Sequence, residues 1–176
     1  METLYQRVLG SRFADLHPVL QRFHSSRERM VGVGLFRVTH QLGWFRRLLV
    51  KCMGLPPAGE AVEVSVEVSP TEAGERWTRS FAGRPLVTFQ TAKGDLLMES
   101  GGPIRFGIAL AVADGGMTFR TRSAWFLGVP LPRWFGPSVD AEVVPKGEGW
   151  GVVVSLTLPL VGRLLEYRGE VIPRWA

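Results

Sequence analysis

The sequence predicts a β-rich α+β fold, a strongly curved antiparallel sheet or partly open β-barrel with N-terminal helices packed on or across it. Three observations carry that expectation. Val62, Val64, Val66 and Val68 alternate with Glu63, Ser65, Glu67 and Ser69, the period-two pattern of a strand with one dry and one wet face. Further short runs follow at about 75–81, 86–91, 95–100, 104–112, 117–126, 139–144, 150–158 and 164–172, joined by brief Gly, Pro or Asp turns. Connections that short leave no room for crossover helices and require antiparallel neighbours. Ahead of the strands, Leu4, Val8 and Leu9, then Leu16, Val19, Leu20 and Phe23, recur at helical spacing.

Two short helices therefore open the chain, with Asp15 ahead of His17-Pro18 as the cap and first turn of the second. Met30 to His40 is rich in β-branched and aromatic residues and reads as a strand, its Gly32 and Gly34 marking close packing or a bend. Gly43 to Met53 returns to helical spacing, with Phe45, Leu48, Leu49, Cys52 and Met53 on one broad face, and stops at Gly54 and Pro56-Pro57. This helix is expected to bury that face against the sheet and close one mouth.

Two hairpins can be given a register. A two-residue turn at Asp114-Gly115 sets Val112 opposite Met117, Leu110 opposite Phe119, Ile108 opposite Thr121 and Ile104 opposite Trp125, so dry residues meet. The outer face then sets Ala109 against Arg120 and Gly107 against Arg122, and Arg105, Arg120 and Arg122 form a small basic patch. A turn at Lys93-Gly94 sets Thr91 opposite Leu96 and Phe89 opposite Met98. After Phe81, a loop at Gly83-Arg84 mismatches the faces and asks for a bulge. About nine or ten such strands curl or split rather than stay flat.

At 176 residues and 45% hydrophobic composition the chain reads as one domain, residues 1–57 leading into an antiparallel meander over 58–176, with no linker, repeat or low-complexity segment. The net charge of +5 rests on 18 Arg against 3 Lys spread along the whole chain, a weak argument for nucleic acid. Cys52 is the only cysteine, which excludes an intramolecular disulfide and a cysteine-cage metal site. No apolar run reaches the roughly 20 residues of a membrane span, and the N-terminus lacks the basic and apolar regions of a signal peptide. A cytoplasmic location is expected.

Chemistry-bearing residues are sparse. His17, His24 and His40 lack metal-ligand spacing and read as surface or cap residues. Cys52, on an apolar helix face, reads as a buried inert thiol. Gly32-Val33-Gly34-Leu35-Phe36-Arg37 opens like a dinucleotide fingerprint but lacks the third glycine and the helix after it. Asp15 reads as a cap, and Asp95 and Asp114 as turn residues, so a carboxylate pair would have to recruit glutamates.

The most informative strand is Glu75 to Phe81. Alternation puts Trp77, Arg79 and Phe81 on one face, so inward aromatics carry Arg79 in with them. A buried guanidinium has to be paired or has to face a ligand anion. The alternatives are an ion pair with a glutamate such as Glu99 or Glu166, a flat stack on Trp77, or a ligand. Arg168, next to Tyr167, raises the same question. The apolar loop from Phe126 to Pro137 holds Leu131, Trp134 and Phe135 between prolines and glycines. It is expected to fold back over one end of the sheet as a rigid lip, with Trp134 or Phe135 against the core or cavity mouth and Arg133 outward.

Gly74 to Phe81 (GERWTRSF), together with the Leu4-Tyr5 to Arg22-Phe23-His24 opening, Gly54-Leu55-Pro56-Pro57-Ala58-Gly59, Gly102-Pro103-Ile104-Arg105-Phe106, Pro130-Leu131-Pro132, and Pro159-Leu160-Val161-Gly162 to Tyr167-Arg168-Gly169, resembles the bacterial domain of unknown function 4166 over nearly the whole chain. The resemblance transfers no catalytic residue. Some members of that family resemble a partner domain fused behind a saccharopine-dehydrogenase-like dinucleotide-binding domain, which implies an accessory role beside a dinucleotide-dependent oxidoreductase.

The function these readings predict is a non-catalytic binding module holding a small apolar or amphipathic anionic ligand in a β-sheet cavity. Trp77, Phe81, Phe106, Trp125, Trp134, Tyr167 and Arg168 are its expected lining and Arg79 its polar anchor. No catalytic residue, metal or cofactor is assigned. The competing reading is a membrane-surface or protein-docking domain that uses helix 43–53 and loop 130–137 as amphipathic contacts. An enzyme stands third.

Overall fold

Strands with one dry face need a second surface to cover it, and here the sheet supplies its own by curling closed. The computed structural model describes residues 2–40, 56–159 and 161–175. The strands are β1 (Met30–His40), β2 (Gly59–Pro70), β3 (Gly74–Phe81), β4 (Arg84–Lys93), β5 (Leu96–Gly101), β6 (Ile104–Ala113), β7 (Gly116–Phe126), β8 (Val129–Leu131), β9 (Ser138–Lys146), β10 (Gly149–Leu158) and β11 (Gly162–Arg174). All pairings are antiparallel, in the order β6-β5-β4-β3-β2-β1-β11-β10-β9-β7, and β7 returns to β6, so ten strands close a barrel. The short β8 pairs with the far half of β7, beyond the point where β9 leaves it. At that seam the Thr121 hydroxyl replaces a ladder rung, donating to the Val139 carbonyl at 2.7 Å and accepting from its N–H at 3.0 Å.

The helices fill one end. Helix α1 (Leu4–Leu9) runs through a 3-10 turn (Gly10–Asp15) into α2 (Pro18–Ser25). The cap of α2 is His17, whose Nδ1 accepts from Val19 N–H at 3.4 Å, while Asp15 ends the 3-10 turn instead of capping α2. His17 N–H donates to Gly115 O at 2.8 Å and Arg12 Nη1 to Leu110 O at 3.1 Å, fixing the helices over the β6–β7 turn. Leu4, Tyr5, Val8, Leu9, Leu16, Leu20 and Phe23 are buried and continuous with inward residues such as Val68, Leu110, Met117, Val143 and Trp150.

The opposite end carries the turns at 82–83, 102–103, 127–128 and 132–137. The expected helix at Gly43–Met53 and its closure of a mouth lie outside the described residues.

Register follows the sequence expectation where the ladder is regular and departs from it where one residue is inserted. Val112–Met117, Leu110–Phe119, Ile108–Thr121 and Ala109–Arg120 pair as the Asp114-Gly115 turn requires. A bulge between Gly107 and Ile108 then shifts the rest: Gly107 opposes Ser123, Arg105 opposes Trp125 and Ile104 opposes Phe126. The β4–β5 turn is Gly94-Asp95, so Thr91 opposes Met98 and Phe89 opposes Ser100, two residues from the expected register with the same faces in contact. After Phe81 no bulge is needed, because the turn is Ala82-Gly83 and Phe81 opposes Arg84. Both its residues have positive φ, 47° and 80°, the geometry that matches strand twist in a two-residue hairpin.

One corner depends on glycine. Where β1 crosses β11, a Cβ on Gly34 would lie 1.9 Å from the Glu170 carbonyl oxygen, and one on Gly169 would lie 2.6 Å from the Phe36 ring. Only residues without a side chain allow the two backbones to come so close.

Candidate functional site

The inner face of β3 presents Glu75, Trp77, Arg79 and Phe81, since alternate residues of a strand share a side. Pairing sets Gln90, Thr88 and Leu86 of β4 beside Glu75, Trp77 and Arg79, and Glu99 of β5 beside Gln90. One sector of the wall is thus polar, whereas β2, β9 and β10 line the interior with Val62, Val64, Val66, Val139, Val152 and Val154.

Arg79 answers the question its position raises by doing two things at once. Its Nη1 donates to Thr88 Oγ1 at 2.9 Å and to Glu99 Oε1 at 3.1 Å, and Thr88 in turn donates to the same Glu99 oxygen at 2.7 Å. Its guanidinium carbon also lies 4.9 Å from the centre of the Trp77 ring, within cation–π range. Burial, the largest influence, disfavours the charge, but Glu99, Tyr167 and Tyr5 outweigh it and raise the pKa. Glu166, the other candidate partner, instead binds Arg163 and Arg168 on the outer face.

Toward the helices the cluster continues. Tyr5 Oη donates to Gln90 Oε1 at 3.0 Å, and Trp77 Nε1 donates to Glu75 Oε2 at 2.9 Å. The His24 ring lies tilted against Tyr5, with centres 3.8 Å apart, and stacks with Trp77 at 6.1 Å. Burial pushes Glu75 up to about 7 and His24 down to about 3, so both favour their neutral forms inside the fold. Burial, then the charge of Glu75, holds the Tyr5 hydroxyl well above its ordinary value.

The barrel brings Trp77, Arg79, Phe81, Phe106 and Tyr167 to its interior, with Phe81 and Tyr167 packed edge-on at 5.2 Å. It does not bring the other three there. Trp125 is turned to the outer wall by the Gly107 bulge, where its ring lies 3.4 Å from the place a Gly107 Cβ would take. Arg168 follows inward Tyr167 and must face out, because adjacent residues of a strand never share a side. Trp134 stands in water, 74% exposed.

The loop around Trp134 does fold back, but through different atoms than its composition suggests. Phe135 N–H and Gly136 N–H both donate to Pro132 O, at 2.9 and 2.8 Å. That tight turn lays Gly136 over Ala124 and Leu131 and buries Pro137. Trp134 and Phe135 pack edge-on against each other at 5.9 Å and point outward, so neither lies against the core or a cavity mouth as expected. Arg105, Arg120 and Arg122 all lie on the exposed outer face of β6–β7, Arg120 opposite Asp140 at 3.9 Å and Arg122 within the bulge.

Sequence reasoning missed Tyr5, His24, Glu75, Thr88 and Gln90. The signal for Glu75 was present, since it sits two residues before Trp77 and shares its face. The others depend on pairings that a single strand does not reveal.

Leu86, Phe106, Phe119, Val139 and Val154 all alternate inward, yet each is only half-buried. A separate shallow groove of about 820 Å³ runs over the outer wall along Val33, Leu35, Ser65, Glu170 and Ile172, away from the polar cluster. Among the described residues no group of His, Cys, Asp or Glu is placed to hold a metal ion, and no helix is long and apolar enough to cross a membrane.

The chain matches the family described as Domain of unknown function (DUF4166) over residues 16–171 and belongs to that family. No curated protein and no solved structure matches it significantly.

Proposed function

We propose that this member of the DUF4166 family is a non-catalytic binding module that takes one small amphipathic ligand into its barrel. The observation that carries the reading is the half-exposure of inward-facing Leu86, Phe106, Phe119, Val139 and Val154 in a closed barrel. A lumen lined mainly by valine and aromatic side chains with one polar cluster has the make-up of a small-molecule site. The apolar body of the ligand lies along the valine sector, and its polar head meets Arg79. Among the described residues every hydrogen bond of that guanidinium leaves from Nη1, which leaves Nε and Nη2 as the donors for a ligand oxygen. Glu99 neutralises Arg79, so an anionic head gains directed hydrogen bonds more than net charge, and the preference for an anion is modest.

The test is titration of the full chain with dodecanoate and with dodecanol, followed by native mass spectrometry and calorimetry. Both bind one to one, and the double substitution Arg79→Gln with Glu99→Gln weakens dodecanoate by about tenfold, or ~1.4 kcal/mol, and dodecanol by less. Failure of both probes to bind would contradict the reading.

A further inference from the structure

The end of the β7–β8 hairpin and the lip behind it display side chains that a soluble surface does not favour. Leu127 is 72% exposed and Phe135 55%, beside the still more exposed Trp134. Leu127 also sits at φ 50°, a left-handed conformation that glycine or asparagine adopts at lower cost. A polar or small residue there would relieve both penalties. These side chains are held in place, because Leu127 N–H donates to Pro103 O at 2.8 Å and the Pro132 turn fixes the two rings.

Charge on this side is mostly positive, with Asp140 set opposite Arg120 at 3.9 Å. From Ser100 to Val139 the only acidic residue is Asp114, and it lies at the opposite, helical end. Arg105, Arg122 and Arg133 are exposed and form no ion pair with any described residue. An apolar tip with a tryptophan at its apex and arginines around its base matches the layering of an anionic bilayer surface, acyl boundary first and phosphates behind.

We propose that this tip docks on anionic lipid, with Leu127, Trp134 and Phe135 entering the interface and Arg105, Arg122 and Arg133 meeting phosphate head groups. A second copy of the chain fits the tip poorly, since an isologous contact would set the same arginines against each other. Lipid also receives a small convex tip without a shape-matched cleft. The inference stands apart from the lumen reading and survives its failure.

Co-sedimentation of the full chain tests it, using vesicles of phosphatidylcholine alone and of phosphatidylcholine mixed with phosphatidylglycerol, at low and high salt. The expected result is binding to the mixed vesicles only, lost at high salt, and weakened roughly tenfold both by Trp134→Ser with Phe135→Ser and by Arg105→Gln with Arg122→Gln and Arg133→Gln. The melting temperature stays unchanged. Trp134→Phe keeps the binding and removes the part of the tryptophan quenching by brominated lipid that Trp134 supplies. Equal binding to both vesicle types, or indifference to the Trp134/Phe135 double substitution, overturns the proposal. So does a dimer in solution that this double substitution dissolves while vesicles remain unbound.

Discussion

The two ends of the barrel use aromatic residues in opposite ways. At the helical end Tyr5, Phe23, His24, Trp77 and Trp150 interlock, with Phe23 and Trp150 at 4.8 Å, and every one is buried or half-buried. At the hairpin end Trp134 and Phe135 touch chiefly each other and water. Similar residue types therefore carry stability at one end and a surface property at the other. The difference lies in what the local backbone allows: an amphipathic helix can roll its apolar face onto the sheet, whereas a proline-pinned turn fixes where its rings point.

Substitution separates the ends most sharply. Leu20→Ala or Phe23→Ala at the helical end is expected to cost about 3–5 kcal/mol, because both leave a cavity among fully packed neighbours. Trp134→Ala at the other end should stay within about 0.5 kcal/mol, as for a surface residue. Urea unfolding of the three variants decides this, and a large loss for Trp134→Ala would mean that the lip seals the barrel after all.

A smaller effect probes the buried cluster beneath the helices. Glu75 rises from 4.5 to about 7 in the fold, so the folded state keeps a proton that the unfolded chain releases. Stability therefore falls as pH climbs through that window, by about 3 kcal/mol in all. His24 falls from 6.5 to about 3, so the unfolded chain takes up a proton first and stability falls as pH drops through its window. Between pH 4.5 and 6.5 the two slopes oppose each other and nearly cancel. Glu75→Gln removes one of them: the variant gains on the wild type as pH rises from 4.5 to about 7, keeps that gain above, and loses stability steadily as pH falls from 6.5. Urea midpoints across the pH range show this, and identical profiles for the two proteins would place Glu75 in water.

How far the sequence reaches depends on the range of the interaction. The alternation of Val62 to Val68 and the Asp114-Gly115 turn are local, and both predict the right faces. The inward course of Trp77, Arg79 and Phe81 follows from one strand, as does an acidic partner for Arg79, with Glu99 among the two candidates. Barrel closure rests on β1 meeting β11, a contact across the whole chain that no local pattern encodes. The bulge at Gly107 inserts a single residue, and it is enough to move Trp125 from the lining to the outer wall. Trp134 and Phe135 were misplaced for a different reason: hydrophobic composition argues for burial, but the hydrogen bonds to Pro132 O set their direction.

The central claim is that the barrel encloses usable space between its helical plug and its far end, and Ala141→Phe tests it most directly. Ala141 lies on the inner face of β9, between Phe119 of β7 and Val154 of β10, and is only half-buried. If the lumen is open, the larger ring fits without loss of stability and blocks dodecanoate. If the interior is already close-packed, the same substitution costs about 1–3 kcal/mol of strain, and the account of a binding barrel is wrong.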